Sequence, residues 1–280
     1  AISLGTTGTI IRDCTFEGFS RGCVGAGQSA VVDGCRFVDC IVNGGQNGAT
    51  LNVSRDSRVI NCEFVNTNPT DHVGYFIRAN ELGVVVEGCT FQGAPVGYVP
   101  FIGQTARATF IGCTFKDADL RPDQRLFWGN LAPLSFDSCL FTGINSSGQP
   151  LIYLDDDAYH TFVRNCTVTN CTAPSFSGFN PQVAPGHVTV QNSIFWDNAF
   201  TTTFSGPTTV SQSMFQTWIP GLGNLVTNPL FTNPDAGDYS LRRGSPAVDS
   251  GDSSLVPSTV TIDAAGNPRR VDDPLKPDTG

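Results

Sequence analysis

The chain repeats a short cysteine-containing pattern along most of its length, and this repeat restricts the fold more than any other feature. Segments such as VINCEFVN (59–66) and FIGCTFKD (110–117) share an apolar residue, a cysteine three residues later and a phenylalanine two residues after that. With the cysteine as position zero, successive copies lie 20 to 27 residues apart. Such periods are typical of stacked repeats whose single units cannot bury their own apolar face. Position zero is occupied by Cys14, Cys35, Cys62, Cys89, Cys113, Cys139, Cys166, Ser193 and Ser213.

The spacing inside the repeat predicts two short strands separated by a tight corner. Positions zero and plus two lie on one face of a strand because side chains alternate with a period of two. Position minus three is apolar in all nine copies, and it faces the same interior only if the chain bends before position zero. Position minus one is mostly glycine, asparagine, aspartate or serine, which tolerate left-handed dihedrals or bond to their own backbone. A second corner of similar composition follows at position plus four, from Gly18 to Asp197.

Two strands, two corners and a longer variable strand make one coil of a parallel β-helix. The sequence therefore predicts an all-β, single-stranded solenoid with about nine recognisable coils over residues 1–218, followed by a proline- and glycine-rich terminating segment over residues 219–280. The cysteines and phenylalanines then form two internal columns at the strand spacing of roughly 4.8 Å. A disulfide framework and a metal site are the alternatives for ten cysteines. Parallel Cβ vectors disfavour disulfides, and no suitably spaced histidine supports a metal site, so free, buried thiols are expected.

Composition and charge restrict the partners of such a solenoid. The chain has 280 residues, 40% of them apolar, and no long apolar run, which predicts a soluble protein without a membrane span. Its formal net charge is −9. Nucleic acid is therefore not an expected partner, because phosphate binding needs clustered lysine and arginine.

Four short segments near the C-terminus carry a family resemblance. They are 228–231 (NPLF), 237–239 (GDY), 244–249 (GSPAVD) and 263–269 (DAAGNPR). These segments resemble the C-terminal region of bacterial secreted right-handed β-helix repeat proteins, the group often called choice-of-anchor domain proteins. The resemblance implies a right-handed coil, a secreted or cell-surface location and a tail that ends the helix. It implies no particular reaction.

The coils also resemble parallel β-helices of the pectate-lyase type, and this resemblance implies a functional site on the long strand before the first corner. Counting back from position zero predicts two outward rows on that strand. Position minus eleven gives Leu51, Arg78, Ile102, Trp128 and Asp155, with Tyr153 one coil beyond Trp128. Position minus nine gives Val53, Asn80, Gln104, Asn130 and Asp157.

Together these rows predict a polysaccharide-binding strip, because aromatic faces stack on sugar rings and amides bond sugar hydroxyls. An ordinary solvated sheet face is the alternative. The expected substrate contacts are Trp128, Tyr153, Asn80, Gln104 and Asn130.

An acidic run, YLDDDAYH (153–160), is the best candidate for chemistry. Asp155 and Asp157 share one face of a strand, and carboxylates are ligands that Ca²⁺ prefers. If the chain is an enzyme, Asp155, Asp157 and Arg78 are its predicted catalytic residues. Ca²⁺ or Arg78 would neutralise a uronate carboxylate while a base removes the α-proton, which makes a lyase more consistent with the residues than a glycoside hydrolase. No other cofactor is expected, and the Asp run also reads as a solvated surface.

A charged loop, DADLRPDQR (117–125), is a weaker candidate. It reads either as a cation or uronate site or as a loop whose charges pair internally.

Three functions follow from these residues. The first is a secreted or cell-surface β-helix that binds a polysaccharide or cell-surface glycan through the strip. The second is a polysaccharide lyase acting at the same strip. The third is a structural adhesin or filament subunit that self-associates through its coil ends, where strand edges are exposed.

Overall fold

A computed structural model describes residues 2–19, 22–40, 49–67, 75–79, 81, 83–93, 101–103 (backbone alone), 107–129, 133–155, 160–179, 182, 186–258, 260–261 and 268. The chain winds through three parallel sheets in turn, and each coil contributes one strand to each sheet. The all-β solenoid predicted from the repeat is therefore confirmed. Eight coils have a strand in all three sheets, and a ninth has strands in two of them.

The first sheet contains the strand that precedes the tight corner. Its eight strands pair in parallel with the coils before and after. In chain order they are Ile2–Leu4, Val24–Ala26, Ala49–Val53, Tyr75–Ala79, Phe101–Gly103, Phe127–Gly129, Ile152–Leu154 and Ser177–Phe179.

The second sheet carries position minus three of the repeat, and its nine strands correspond to the nine copies. They are Ile10–Arg12, Val31–Asp33, Arg58–Ile60, Val84–Glu87, Ala108–Ile111, Leu134–Asp137, His160–Arg164, His187–Gln191 and Thr208–Ser211.

The third sheet carries position plus two, in a stack of nine strands to which two short strands are added. The nine are Thr15–Glu17, Arg36–Val38, Glu63–Val65, Thr90–Gln92, Thr114–Leu120, Leu140–Ser146, Thr167–Thr169, Ile194–Trp196 and Met214–Phe215, and the added two are Thr172–Ala173 and Ala199–Phe200.

The two predicted corners are present and adopt left-handed backbone dihedrals. At position minus one all nine residues have φ between 43° and 62°. At position plus four, seven residues have positive φ, among them Asp39, Asp117 and Asn170. Because such φ values favour glycine, asparagine and aspartate, the composition of these two positions encodes the corners. The bend after position minus one turns the residues at minus three, zero and plus two toward the same interior.

Phenylalanine rings fill that interior as a continuous stack. The rings of Phe16, Phe37, Phe64, Phe91, Phe115 and Phe141 lie 4.7 to 5.2 Å apart, centroid to centroid. Val168 interrupts the column, and Phe176, which directly precedes the first-sheet strand Ser177–Phe179, lies between the rings on either side of it. The Phe176 ring meets Phe141 edge-on at 5.6 Å and Phe195 at 5.0 Å. An aromatic from beside the first sheet therefore replaces the missing ring.

The cysteine column consists of free thiols, as predicted. These thiols form hydrogen bonds with the backbone in addition to packing in the core. All ten cysteines are free, and those from Cys35 to Cys166 in the column are buried. Each of these column thiols donates a hydrogen bond to the carbonyl two residues earlier, as Cys89 does to Glu87. The Cys89 sulfur also accepts the Cys62 amide at 3.3 Å. The Cys89 sulfur thus supplies an acceptor for the Cys62 amide, whereas the carbonyls that the thiols bond also accept a backbone N–H from the preceding coil, as Glu87 does from Asn61.

The described part of the terminating segment runs back along the outside of the coils. It contains the hairpin of strands Phe231–Asn233 and Asp238–Leu241 and the 3-10 turns Pro234–Ala236 and Ser253–Leu255. The Tyr239 hydroxyl lies 2.8 Å from the Thr142 hydroxyl of the third sheet. The Asn192 amide side chain accepts from the Asp252 backbone N–H at 2.9 Å and donates to its carbonyl at 2.7 Å. These bonds attach the segment to the sixth and eighth coils.

Candidate functional site

The outward row of the first sheet is defined by the strand register. Asn52, Arg78, Ile102, Trp128 and Tyr153 are consecutive partners across five neighbouring strands. This arrangement gives Arg78, Trp128 and Tyr153 the shared row that the sequence predicts. With a strand spacing of about 4.8 Å, Arg78 and Tyr153 are about 14 Å apart along the stack.

Three positions of the predicted rows are wrong, namely Leu51, Val53 and Asp155. Tyr153 rather than Asp155 pairs with Trp128. Leu51 and Val53 are both fully buried and face the interior. Leu51 pairs with Ile77, which places Asn52 beside Arg78 instead.

The error comes from counting back across a corner of variable length. Ten residues separate Asn52 from Cys62, eleven separate Trp128 from Cys139, and thirteen separate Tyr153 from Cys166. Because side chains alternate along a strand, an offset of one residue moves a side chain to the opposite face. Asp155 follows the strand Ile152–Leu154, two residues beyond the outward row that Tyr153 occupies.

Four side chains gather on the outward face at the sixth and seventh coils, and we call this group the aromatic patch: Arg125, Trp128, Tyr153 and Asp155. The Trp128 indole N–H donates a hydrogen bond to the Asp155 carboxylate. The Arg125 guanidinium carbon lies 3.9 Å from the centroid of the Tyr153 ring and 5.5 Å from that of Trp128. All four side chains are half-buried, so the patch is shaped by the protein and still open to solvent.

Local contacts hold the patch in place. Gln124 is buried and ties the preceding turn, since its side-chain oxygen accepts from the Arg121 backbone N–H at 2.8 Å. This turn places Arg125 two residues before the start of the strand Phe127–Gly129. On its other side, Trp128 packs against the buried pair Ala49 and Tyr75. Two rings and a guanidinium are therefore preorganised without a ligand.

The electrostatics of the patch keep Tyr153 protonated. Burial and the neighbouring Asp155 carboxylate raise the pKa of Tyr153, and the Arg125 guanidinium opposes part of this shift. The Arg125 Nε is buried, and within the described part of the chain it has no hydrogen-bond partner. A neutral phenol and a guanidinium N–H are both suitable donors for ligand oxygens.

The binding strip predicted from the sequence omits Arg125, although the Arg125 guanidinium lies over the Tyr153 ring in the structure. Arg125 lies in the segment 117–125 that the sequence predicts to be a charged loop, but residues 117–120 belong to the strand Thr114–Leu120 and only the turn after it carries Arg125 to the strip. The sequence does contain a feature that could have indicated its role, because Arg125 lies three residues before the outward-facing Trp128.

Several predicted site residues lie outside the described residues. These are Asn80, Gln104, Asn130 and Asp157. The second row of the strip and the Asp155–Asp157 pair therefore remain predictions, as does a Ca²⁺ site formed by that pair. Elsewhere, within the ranges that the structure describes, no group of three or more His, Cys, Asp or Glu side chains is arranged to hold a metal ion.

A comparison with protein-family models supports the fold. The family model described as "Right handed beta helix region" matches residues 1–115. The fold is a right-handed parallel β-helix. No curated protein matches the chain. A solved structure of QnrB1, a plasmid-mediated fluoroquinolone resistance protein, is 10% identical and aligns over 79% of this chain and 91% of its own, with a TM-score of 0.24.

No helix in the described residues is long and apolar enough to cross a membrane.

Proposed function

We propose that this β-helix protein binds a polysaccharide along the outward face of its first sheet. The observation that supports the proposal best is the aromatic patch, in which two rings on adjacent coils stand in register beside an arginine and a carboxylate. Aromatic faces stack on the apolar faces of sugar rings, while charged and hydroxyl groups bond the sugar oxygens. Such a combination suits a carbohydrate better than it suits an apolar ligand.

Preorganisation adds to this argument. The hydrogen bond from Trp128 to Asp155 and the packing of Trp128 on Tyr75 fix the indole ring. A ring that is already fixed loses little conformational freedom when a ligand binds, so more of the contact energy appears as affinity.

The length and charge of the row favour an extended, acidic glycan. Arg78 and Tyr153 stand about 14 Å apart, which exceeds one sugar ring and calls for a chain that crosses several coils. Arg78 and Arg125 lie at or near the two ends of this span and are matched to carboxylate groups. A secreted or cell-surface location, with a bacterial surface glycan as partner, is part of the proposal.

Binding is favoured over a lyase by the contacts of Asp155. One of its oxygens accepts the Trp128 indole N–H, and Arg78 lies about three strands away. A base and a neutralising cation that far apart would serve different sugar rings rather than one. No described contact favours the filament alternative. Both alternatives are outcomes of the test below.

The test uses Trp128 as the reporter. The chain has three tryptophans, so Trp196→Phe with Trp218→Phe leaves Trp128 as the sole indole emitter. This variant is titrated with polygalacturonate and alginate as acidic chains and with dextran and xylan as neutral chains, each with and without Ca²⁺. We expect a saturable change in Trp128 emission with an acidic chain.

Matched variants then locate the site. Affinity of these variants is measured by titration calorimetry in the otherwise unaltered chain, because Trp128→Ala removes the fluorescent reporter. Trp128→Ala and Tyr153→Ala are expected to weaken binding about tenfold each, equivalent to ~1.4 kcal/mol. Trp196→Ala, a half-buried tryptophan on the third sheet, is the control and should leave affinity unchanged. Absence of any emission change with all four polysaccharides would contradict the proposal. Shortened chains with new ultraviolet absorbance from unsaturated uronate would establish the lyase, and concentration-dependent assembly without binding would establish the filament.

A further inference from the structure

Two of the chain's three histidines lie side by side on the outward face of the second sheet, and we call them the histidine pair: His160 and His187. They begin the seventh and eighth strands of that sheet and are partners in the parallel register. The residues that follow them, Thr161 and Val188, are fully buried, so alternation along the strands points both imidazoles outward. His160 is exposed and His187 is half-buried. Both rings are therefore accessible from solvent.

The separation of the two rings matches the distance that a shared metal ion requires. Their centroids are 5.0 Å apart, and the ring planes are inclined at 52°. With a metal–nitrogen distance of about 2.1 Å, each centroid lies about 3.2 Å from the metal, and two imidazoles at a tetrahedral angle have centroids about 5.2 Å apart. The rings are tilted rather than stacked face to face. Rotation of the exposed His160 ring about its last torsion, which has a broad energy well, can therefore bring one nitrogen from each ring toward a common point.

A hydroxyl on the next strand orients one of the rings. The His187 Nε2 atom lies 2.8 Å from the Thr209 Oγ1 atom. Thr209 belongs to the strand Thr208–Ser211, which pairs with the strand that His187 begins. When the hydroxyl accepts the Nε2–H, the proton stays on Nε2 and the Nδ1 lone pair is available to a metal. A hydrogen bond on the other ring nitrogen is the usual way in which a metal-binding histidine is oriented.

We propose that the histidine pair is a surface site for a divalent transition-metal ion such as Zn²⁺ or Ni²⁺, bound by one nitrogen of each imidazole. Imidazole suits these ions, whereas Mg²⁺ and Ca²⁺ prefer oxygen ligands. The formal net charge of −9 attracts cations to the molecule. Two protein ligands are fewer than the four of a structural zinc site, so the remaining positions are open to water and the ion is exchangeable.

A bound ion would bridge the seventh and eighth coils from the outside. The two ligands come together only when both strands are paired, so the ion binds the folded chain and stabilises it by mass action. The melting temperature is therefore expected to rise with Zn²⁺ concentration. The histidine pair lies on the second sheet and the aromatic patch lies on the first, so this inference does not depend on polysaccharide binding.

Titration calorimetry of the metal-free chain with Zn²⁺ and Ni²⁺ measures the site directly, with Mg²⁺ as the control ion. We expect one Zn²⁺ or Ni²⁺ per chain and no binding of Mg²⁺. His160→Ala and His187→Ala should each weaken binding about tenfold or more. His72→Ala removes the third histidine, which lies outside the described residues, and should leave affinity unchanged. Thr209→Val should weaken binding, whereas Thr209→Ser keeps the hydroxyl and should not.

Chemical protection then locates the ion on the chain. Diethylpyrocarbonate acylates accessible imidazoles, and trypsin places the three histidines on the separate peptides 59–78, 126–164 and 165–242. Zn²⁺ should slow the acylation of His160 and His187 and leave that of His72 unchanged.

The proposal would be overturned by any of three results. The first is that the unaltered chain binds neither Zn²⁺ nor Ni²⁺. The second is that the double variant His160→Ala with His187→Ala keeps the full affinity, which would place the ion elsewhere. The third is that His72→Ala weakens binding as much as His160→Ala does. Both members of the pair face solvent, so the metal-free variants should unfold at the same urea concentration as the unaltered chain, and loss of binding then reports the site and not the fold.

Discussion

Position zero of the repeat selects for a small side chain that can both donate and accept a hydrogen bond. The Ser193 hydroxyl donates to the Gln191 carbonyl at 2.8 Å and accepts the Cys166 amide at 3.2 Å. Beyond the last serine, the Asn224 side-chain oxygen accepts the Ser213 amide at 3.1 Å. The same backbone requirement is thus met by cysteine, serine and asparagine in turn. This explains why the repeat changes residue type without changing its fold.

A substitution series at Cys89 tests this requirement. Cys89→Ala leaves the buried Cys62 amide without its sulfur acceptor, and an unpaired buried group costs about 1–3 kcal/mol. Cys89→Ser keeps an acceptor and should cost less, as measured by urea unfolding. Cys14→Ala is the control, because Cys14 heads the column and is only partly buried. Equal losses for Cys89→Ser and Cys89→Ala would show that the thiols act by packing alone.

Buried thiols also give the fold a pH limit. Burial raises the pKa of Cys35 from 9.0 to about 11. Between these two pH values the folded chain keeps a proton on Cys35 that the unfolded chain has released. The contribution of Cys35 to the unfolding free energy is therefore fully present below pH 9 and is lost as the pH rises toward 11. In Cys35→Ser the decline of the unfolding free energy over this range should be shallower. A decline identical to that of the unaltered chain would contradict the assignment to Cys35.

At the scale of single elements, the sequence predicts the second and third sheets well and the first sheet poorly. Positions minus three, zero and plus two are separated by a corner of constant length, so counting from Cys113 places Phe110 and Phe115 correctly. The corner between the first and second sheets varies in length. Counting therefore misplaces Leu51 and Val53 on the outward face. The contact of Arg125 with Tyr153 depends on the conformation of the turn before Arg125, which the spacing of residues in the sequence does not predict.

One space in the core is filled from beside the first sheet instead of by the phenylalanine column of the third sheet. Val168 replaces a ring of the phenylalanine column, and Phe176 fills the space. We expect Phe176→Ala to cost about 3–5 kcal/mol, as for a column phenylalanine. Val168→Phe alone should cost about 1–3 kcal/mol because the space is already filled. Combined in one chain they should cost less than their sum, which urea unfolding and a double-mutant cycle can measure. Strict additivity would mean that the two positions do not share the space.

For the whole molecule, stability is built from contacts between neighbouring coils. Each strand pairs with the coils before and after it, so disturbance in one coil reaches distant coils only through those between them. The fifth and sixth coils have the densest aromatic packing. Phe127 lies 4.7 Å from Phe136, 5.0 Å from Phe115 and 5.3 Å from Phe110, all edge-on. By contrast, Ile10 in the first coil is 60% exposed.

Amide hydrogen exchange should therefore follow a gradient along the 280-residue chain. We expect the slowest exchange over residues 108–144 and faster exchange over residues 2–17, because local opening is easiest where few apolar contacts are lost. Phe136→Leu, which opens a small cavity at the centre, should accelerate exchange in the fifth to seventh coils and leave the first three unchanged. Uniform protection in the unaltered chain, or acceleration of all coils in the variant, would show instead that the solenoid opens as one cooperative unit.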